Sequence, residues 1–447
     1  MKYTTNTFDL IVIGTGVAAS TVAWKCHSAG WKTAIIDSRP FGGTCALRGC
    51  DPKKVLVGVA ELIDWNQRMQ NKGIRNEGRK NIDKDWHDLM QFKRTFTEPV
   101  PKDREESYSK AGITAFHGTA QFIASNTIRV TDNKNNNEHI IEGRNILIAT
   151  GAKPAKLNIP GEEHVITSDQ FLELEKLPSN IIFIGGGYIS FEFAHLAARF
   201  GSKVTILHKG KMPLVGFDPD LVKMLLKKTQ EVGINVRLLS SVKKIDYRDN
   251  GRVFTVYIST SENNTNNTEE SDIVETDLVV HGAGRIPDTE NLTLEQGEVE
   301  RDRMGSVKVN EYLQSVSNTA VYAAGDVAST KGIPLTPVAG YEGQIVAENL
   351  LKGKHSRPNY EGIPSVVFTI PPLASVGLHE NSARQQGLQF RTNFQDTSSW
   401  YSSRRIMESC SGYKVLIEET TNRILGAHVL GPHAEEIINI FALAIRL

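Results

Sequence analysis

Cysteine is scarce in this chain, with four among 447 residues. A first strand beginning near Phe8 leaves no room ahead of it for a charged region, an apolar region and a cleavage site. That excludes a secretion signal, and a chain without one rarely keeps a structural disulfide. Net charge is missing too: 51 lysines and arginines stand against 51 aspartates and glutamates, so nothing global favours nucleic acid or an acidic surface. No apolar run reaches membrane-spanning length. The composition is that of an ordinary globular protein, a cytoplasmic location is expected, and the length suggests about three domains. Asn-X-Ser/Thr triplets at Asn263, Asn266 and Asn291 are then chance matches.

What the chain does have is concentrated at residues 42–54, GGTCALRGCDPKK. Two of the four cysteines, Cys45 and Cys50, stand five positions apart among small residues. On an ideal helix that spacing separates the Cα atoms by about 7.5 Å of rise, beyond the roughly 7 Å a disulfide tolerates. A bridge therefore needs a distorted turn, which Gly49 permits. Pro52 suits a helix first turn, and Val55, Leu56, Val59, Leu62 and Ile63 recur at helical spacing. Cys50 thus opens a helix, where the dipole and the nearby Arg48, Lys53 and Lys54 favour a thiolate. A structural disulfide or two unrelated buried thiols are the plain alternatives.

Residues 8–13 (FDLIVI) read as a buried parallel strand, followed at once by Gly14-Thr15-Gly16 and a helical stretch. A second strand at 33–36 ends on Asp37, 23 positions after Gly14. Strand, glycines, helix, strand and acid in that order are a dinucleotide-binding fingerprint. The glycines admit a pyrophosphate to the helix N-terminus, and the carboxylate binds a ribose hydroxyl. The unit recurs. Residues 180–184 form a strand, Gly185-Gly186-Gly187 follow, and another strand runs over 203–207. Counting 23 from Gly185 gives His208, with Lys209 and Lys211 beyond, so the second copy leans towards a 2′-phosphate and NADPH. His87 and His117 are surface or core histidines. Residues 133–137 form a hairpin tip, and 259–272, rich in asparagine and glutamate, a disordered one.

The cysteine stretch resembles the redox-disulfide motif of the class I pyridine nucleotide-disulfide oxidoreductases, the family of glutathione reductase, dihydrolipoamide dehydrogenase and mercuric reductase. Leu47, Arg48 and Asp51 depart from the residues usual there. Residues 146–151 (ILIATG), Gly284-Arg285-Ile286-Pro287, the VYAAGD at 321–326, Leu335-Thr336-Pro337 and residues 368–378 extend the resemblance over nearly the whole chain. It implies an α/β protein with two Rossmann-like domains, for FAD and NADP, plus an α+β dimerisation domain. The expected segments are 1–153 and 283–353 for FAD, 154–282 for NAD(P) and 354–447 for the interface of a homodimer. It further implies that Cys50 is the flavin-proximal thiol and Cys45 the interchange thiol, with Lys53 and Glu192 paired beside the flavin. Cofactor-binding positions are Gly14, Gly16, Ala19, Asp37, Gly43, Thr44, Lys53, Gly118, Ala120, Thr150, Gly151, Gly185, Gly187, Ile189, Glu192, His208, Lys209, Gly284, Arg285, Asp326 and Thr336.

The implied reaction passes two electrons from NADPH, with NADH possible, through FAD and the cysteine pair to a small-molecule disulfide such as glutathione disulfide. Pro371-Pro372 and the basic loop at His208 favour this over dihydrolipoamide dehydrogenase, which generally uses NAD. Mercuric reductases usually add a C-terminal cysteine pair, whereas beyond the redox pair only Cys26 and Cys410 are present. A flavoprotein of regulation or assembly, without turnover, is the reading from another class. Leu447 precedes the segment in which relatives carry a histidine or tyrosine followed by proline, so no residue receives the acid-base role, His433 included.

Overall fold

The computed structural model describes residues 6–75, 82–248, 253–260 and 270–447. Most of the low-complexity stretch 259–272 lies outside them. By contacts the chain divides into two compact units. One comprises Met1–Pro52, Arg94–Ala155 and Arg285–Tyr360, the other Lys53–Lys93, Lys156–Gly284 and Glu361–Leu447.

In the first unit the strand Asn6–Ile13 is central because Leu10, Ile11, Val12 and Ile13 are all buried, as a strand covered on both faces requires. It pairs in parallel with Thr33–Asp37 and with Glu138–Ile148. Thr114–Ala124 and Val321–Ala323 continue the parallel sheet on either side. Thr127–Asp132 joins 114–124 to 138–148 as an antiparallel meander. The turn expected at 133–137 follows it, with Asn136 at a positive φ of 57° that asparagine tolerates.

The second unit repeats the plan. Ile234–Arg237, Lys203–Leu207, Asn180–Ile184, Leu278–His281 and Ile166–Thr167 form a parallel sheet in that order. An antiparallel meander accompanies it: Ser240–Arg248, Val253–Thr260 and Glu270–Thr276. A separate five-stranded antiparallel sheet runs Ser365–Val367, Leu373–Gly377, Ile424–Leu430, Gly412–Glu418, Phe390–Asp396. The helix Ala434–Arg446 buries Ala434, Ile438, Ala442 and Ile445 and leaves Ile437, Ile440 and Leu443 exposed.

Residues 53–93 belong to the second unit. Leu56, Val57, Ala60, Trp86, Leu89 and Met90 share one apolar core with Phe171, Phe183, Leu225 and Leu373 of the second unit. Burial of that surface, at about 25 cal/mol per Å², outweighs continuity along the chain. Among the described residues no helix is long and apolar enough to cross a membrane. Cys26 and Cys410 are buried, and desolvation pushes each thiol up to about 12.

In the second unit the His379 and His428 rings stack with centroids 4.7 Å apart and planes 15° apart. Ligand atoms of Asp218, His379 and His428 converge within 4.8 Å. The cation of this group is Lys414, whose ammonium lies 3.0 Å from Asp218 Oδ2 and 2.5 Å from Asp220 Oδ2. Burial, then the His379 charge, lowers the His428 imidazole from 6.5 to about 4. Below pH 6.5 the unfolded chain therefore binds a proton that the folded chain refuses. Stability is full above that pH and falls as pH drops towards 4, by about 3 kcal/mol from this histidine. Urea unfolding midpoints measured from pH 7 to 4.5 should decline over that window, and more shallowly in His428→Gln.

Candidate functional site

The first strand of the first unit ends at Gly14, whose amide donates to the Ile36 carbonyl at 2.7 Å. Its φ is +110°, and a Cβ there would stand 2.3 Å from the Ala149 carbonyl oxygen, so only glycine fits. Gly16 caps the helix Val17–Ser28 with ordinary extended backbone. The space its Cβ would enter holds no atom within 4 Å. This open cradle at a helix N-terminus suits a pyrophosphate. Ala19 is fully buried on the same helix. Asp37 closes the next strand, where its Oδ2 accepts from the Thr15 hydroxyl at 2.6 Å and its Oδ1 from the Arg39 amide at 2.9 Å. Burial raises its carboxyl, while these bonds and the Arg48 charge oppose the shift. Thr15 also accepts from the Gly42 amide at 3.1 Å, tying the acid to the cysteine segment. Sequence reading passed over Thr15, although a hydroxyl between two required glycines was the available signal.

Gly43, at φ +72°, would place a Cβ 2.5 Å from Gly16 Cα, so the short helix Gly43–Arg48 is pressed onto the glycine loop. The helix breaks at Gly49, whose φ and ψ of −145° and −113° leave the helical region. The next helix, Cys50–Arg68, begins at once, so the cysteines sit on two helices rather than one. This is the distorted turn that their spacing demands. Both are free thiols. Cys50 Sγ lies 3.5 Å from Thr336 Oγ1, at the start of the helix Thr336–Lys352, and Cys45 Sγ lies 3.9 Å from Asp51 Oδ1. The hydrogen bond with Cys50, then burial, pushes the Cys45 thiol far up. Charge on either thiol therefore opposes loss of the proton from the other.

Other sequence-derived positions have duties within the first unit. A Cβ on Gly118 would stand 2.4 Å from the Thr131 carbonyl oxygen, and Ala120 belongs to the core, so sheet packing already explains both small residues. The Thr150 hydroxyl donates to the Asp288 carbonyl at 2.7 Å, and the Asp288 amide to the Gly151 carbonyl at 3.0 Å. Arg285 donates to the Ala152 carbonyl. Burial raises the Asp326 carboxyl and the Arg285 charge opposes the shift.

The second unit reproduces the first turn closely. The Gly185 amide donates to the Leu207 carbonyl at 2.8 Å, as Gly14 does to Ile36. Gly187 caps the helix Tyr188–Arg199, and its missing Cβ would meet only the Gly282 carbonyl at 3.7 Å. Ile189 is the second residue of that helix, and Gly284 has a φ of +114°. His208 does not offer the charge expected of it. Its ring lies against Gly186 and Gly210, its Nε2 is bonded to the Met212 carbonyl at 3.0 Å, and burial lowers its pKa. Exposed Lys209 and Lys211 supply the positive charge of this loop.

Glu192 and Lys53 pair at 2.8 Å with side chains only 4% and 11% exposed. Glu192 Oε1 accepts a second bond from the Phe368 amide at 2.8 Å, and the Lys53 ammonium lies 4.2 Å from the Phe368 ring centroid. Lys53 stands three residues after Cys50, about one turn along the same helix.

Comparison with known proteins agrees with this geometry. The pyridine nucleotide-disulphide oxidoreductase family matches residues 8–343, and the dimerisation domain of that family matches residues 363–447. A glutathione reductase of Burkholderia cepacia is 34% identical over 443 residues, covering 98% of this chain and 92% of that protein. A mercuric reductase of Staphylococcus aureus is 32% identical over 445 residues, covering 98% and 77%. A dihydrolipoyl dehydrogenase of Chlamydia muridarum is 31% identical over 445 residues, covering 98% and 90%. Among solved structures, the Cu(II) complex of the HOCl-induced flavoprotein disulfide reductase RclA from Escherichia coli matches with a TM-score of 0.85 and 28% identity, over 99% of this chain and 93% of that one. Two glycine turns built alike, two thiols across a helix break and these matches lead to one conclusion: the chain belongs to the pyridine nucleotide-disulphide oxidoreductases, flavoenzymes that use FAD and NAD(P)H.

Proposed function

We propose that this enzyme reduces a small-molecule disulfide of the glutathione type with NADPH. The observation that supports the reading most is the pair of thiols on either side of Gly49, with Cys50 at the first position of a helix. In this reading residues 1–153 and 283–353 serve FAD, 154–282 the nicotinamide nucleotide and 354–447 the partner subunit. Gly14, Gly16, Asp37 and Asp326 hold FAD, which supplies two-electron passage between nicotinamide and thiols when bound. Lys53 and Glu192 present a fixed charge pair to it.

The thiols then act in turn. Cys45, once deprotonated, attacks one sulfur of the substrate disulfide; that S–S bond breaks, and the departing thiolate takes up a proton. Cys50 as thiolate attacks Cys45 Sγ, expels the second substrate thiol and closes the Cys45–Cys50 disulfide. One disulfide, one NADPH and one proton yield two thiols and NADP⁺. Burial keeps Cys26 and Cys410 out of this exchange. A lipoamide dehydrogenase is the second reading, favoured by the neutral His208. Reduction by NADPH and by NADH, followed in stopped flow with glutathione disulfide or lipoamide added, separates the two.

Four outcomes are expected. Lys209→Glu should move preference towards NADH by about tenfold, or about 1.4 kcal/mol, the contribution of one charge-assisted phosphate contact. Unchanged catalytic efficiencies would remove the NADPH assignment. Cys45→Ser should show a long-wavelength absorbance with oxidised flavin before any reductant is added, and Cys50→Ser should lack it while Cys45 remains alkylatable. In the Cys50→Ser background, Asp51→Asn should speed iodoacetamide alkylation at pH 7 severalfold, because the Asp51 charge raises the Cys45 thiol. The exposed Ile437, Ile440 and Leu443 face of the last helix supports a homodimer. Sedimentation at micromolar concentration should show a dimer that Ile440→Glu weakens.

A further inference from the structure

The helix Tyr188–Arg199 carries more than Glu192. Glu192, His195 and Arg199 stand at positions i, i+3 and i+7, one stripe of a helix, and all three are buried. Each grips the same short piece of chain. Glu192 Oε1 accepts from the Phe368 amide at 2.8 Å, His195 Nδ1 accepts from the Ile370 amide at 3.1 Å, and Arg199 Nη2 donates to the Ile370 carbonyl at 3.0 Å. Residues 368–370 follow the strand Ser365–Val367 and lie outside any sheet. Their buried backbone groups thus take side-chain partners from one helix in place of a neighbouring strand.

The direction of these bonds is fixed. His195 Nδ1 accepts, so its proton is on Nε2, which faces Thr229 Oγ1 at 3.0 Å; Thr229 in turn donates to the Leu225 carbonyl at 2.7 Å. Full burial, then the Arg199 charge, holds the imidazole neutral. Arg199 Nη2 also donates to Asp64 Oδ1 at 2.8 Å. Asp64 Oδ2 accepts from Arg68 Nε at 2.7 Å, and Asp64 and Arg68 both lie on the helix that begins with Cys50. The far ends of the two helices are therefore joined by Arg199 and Asp64, as the near ends are by Glu192 and Lys53.

Phe368 is where this arrangement meets the Lys53–Glu192 pair. Its amide serves the carboxylate, and its ring lies 4.2 Å from the Lys53 ammonium and 4.9 Å from that of Lys54. Both members of the pair thus lean on one residue, and that residue is held two positions further on, at Ile370.

We infer that His195 and Arg199 are positioning residues: by clamping Ile370 they seat Phe368 against Glu192 and Lys53, and so set the field that this pair presents to the flavin. The inference rests on the proposed place of the Lys53–Glu192 pair beside FAD. Loss of the Ile370 clamp frees the Phe368 amide and ring together, leaving Glu192 one donor short and Lys53 without its aromatic cover.

The test uses the full-length FAD-loaded enzyme, with the flavin midpoint potential and the oxidised flavin spectrum as readouts and thermal unfolding beside them. Glu192→Gln should shift potential and spectrum, which checks the pair itself. His195→Leu, which cannot accept from Ile370, should shift both in the same direction. His195→Asn, whose carbonyl oxygen can accept that bond, should return them to the wild-type values. Phe368→Leu, which keeps the amide and the approximate volume but removes the ring, provides a shift that needs no change at His195 should the leucine variant not fold. If Glu192→Gln shifts the flavin while His195→Leu and Phe368→Leu lower only thermal stability, the clamp is merely structural and the inference is overturned. If Glu192→Gln itself leaves the flavin unmoved, the place given to the pair fails, and the inference with it.

Discussion

Two charges withdrawn from water, Lys53 and Glu192, constrain much of what surrounds them. Desolvation costs several kcal/mol for each ion, and only close pairing with further hydrogen bonds recovers it. Here the ammonium and carboxylate meet at 2.8 Å, the carboxylate takes a backbone amide, and an aromatic face covers the ammonium. Lys53 belongs to the helix that Cys50 opens, so the rotational setting of that helix is fixed by a pair that cannot be broken cheaply. A rotation of one residue turns a helix by about 100° and would strand both charges.

The two glycine turns show how one backbone device serves two ligands. In each, the first glycine follows a strand, takes a positive φ and donates to the end of the next strand, at Ile36 in one copy and Leu207 in the other. What differs is the residue that closes that second strand. Asp37 keeps a carboxylate oriented by Thr15 and the Arg39 amide, whereas His208 turns its ring back onto its own loop. Repetition preserved the turn because steric exclusion at Gly14 and Gly185 leaves no other residue possible. The ribose end carries no such exclusion and was free to diverge.

Much of this was legible in the sequence, for reasons that particular residues make plain. Continuous apolar runs such as FDLIVI can only be strands covered on both faces, and the glycine spacing after them is fixed by backbone geometry. The interruption between Cys45 and Cys50 followed from helix rise alone. What stayed hidden depends on side-chain direction and long-range burial. His208 looked cationic because position suggested it, and burial of its ring against Gly186 and Gly210 disfavours the charge. Chain order gave no sign that Leu56 and Trp86 share an apolar core with Phe171 and Leu225, far along the chain. His195, Arg199 and Asp64 left no local signal, since a buried polar cluster is defined by partners over a hundred residues away.

The two remaining cysteines carry a consequence for how the enzyme lives with oxidants. Cys26 and Cys410 are sealed in apolar surroundings and, with thiols pushed up to about 12, are almost wholly protonated at neutral pH. Oxidants and electrophiles react with thiolates, so these two sulfurs are poor targets even though they belong to the same molecule as a reactive pair. Oxidising equivalents that reach the thiols of the protein are thereby directed to Cys45 and Cys50, a pair that reductant can restore. Outside that pair the chain has no sacrificial thiol and no vulnerable one, so its thiol chemistry has a single reversible address.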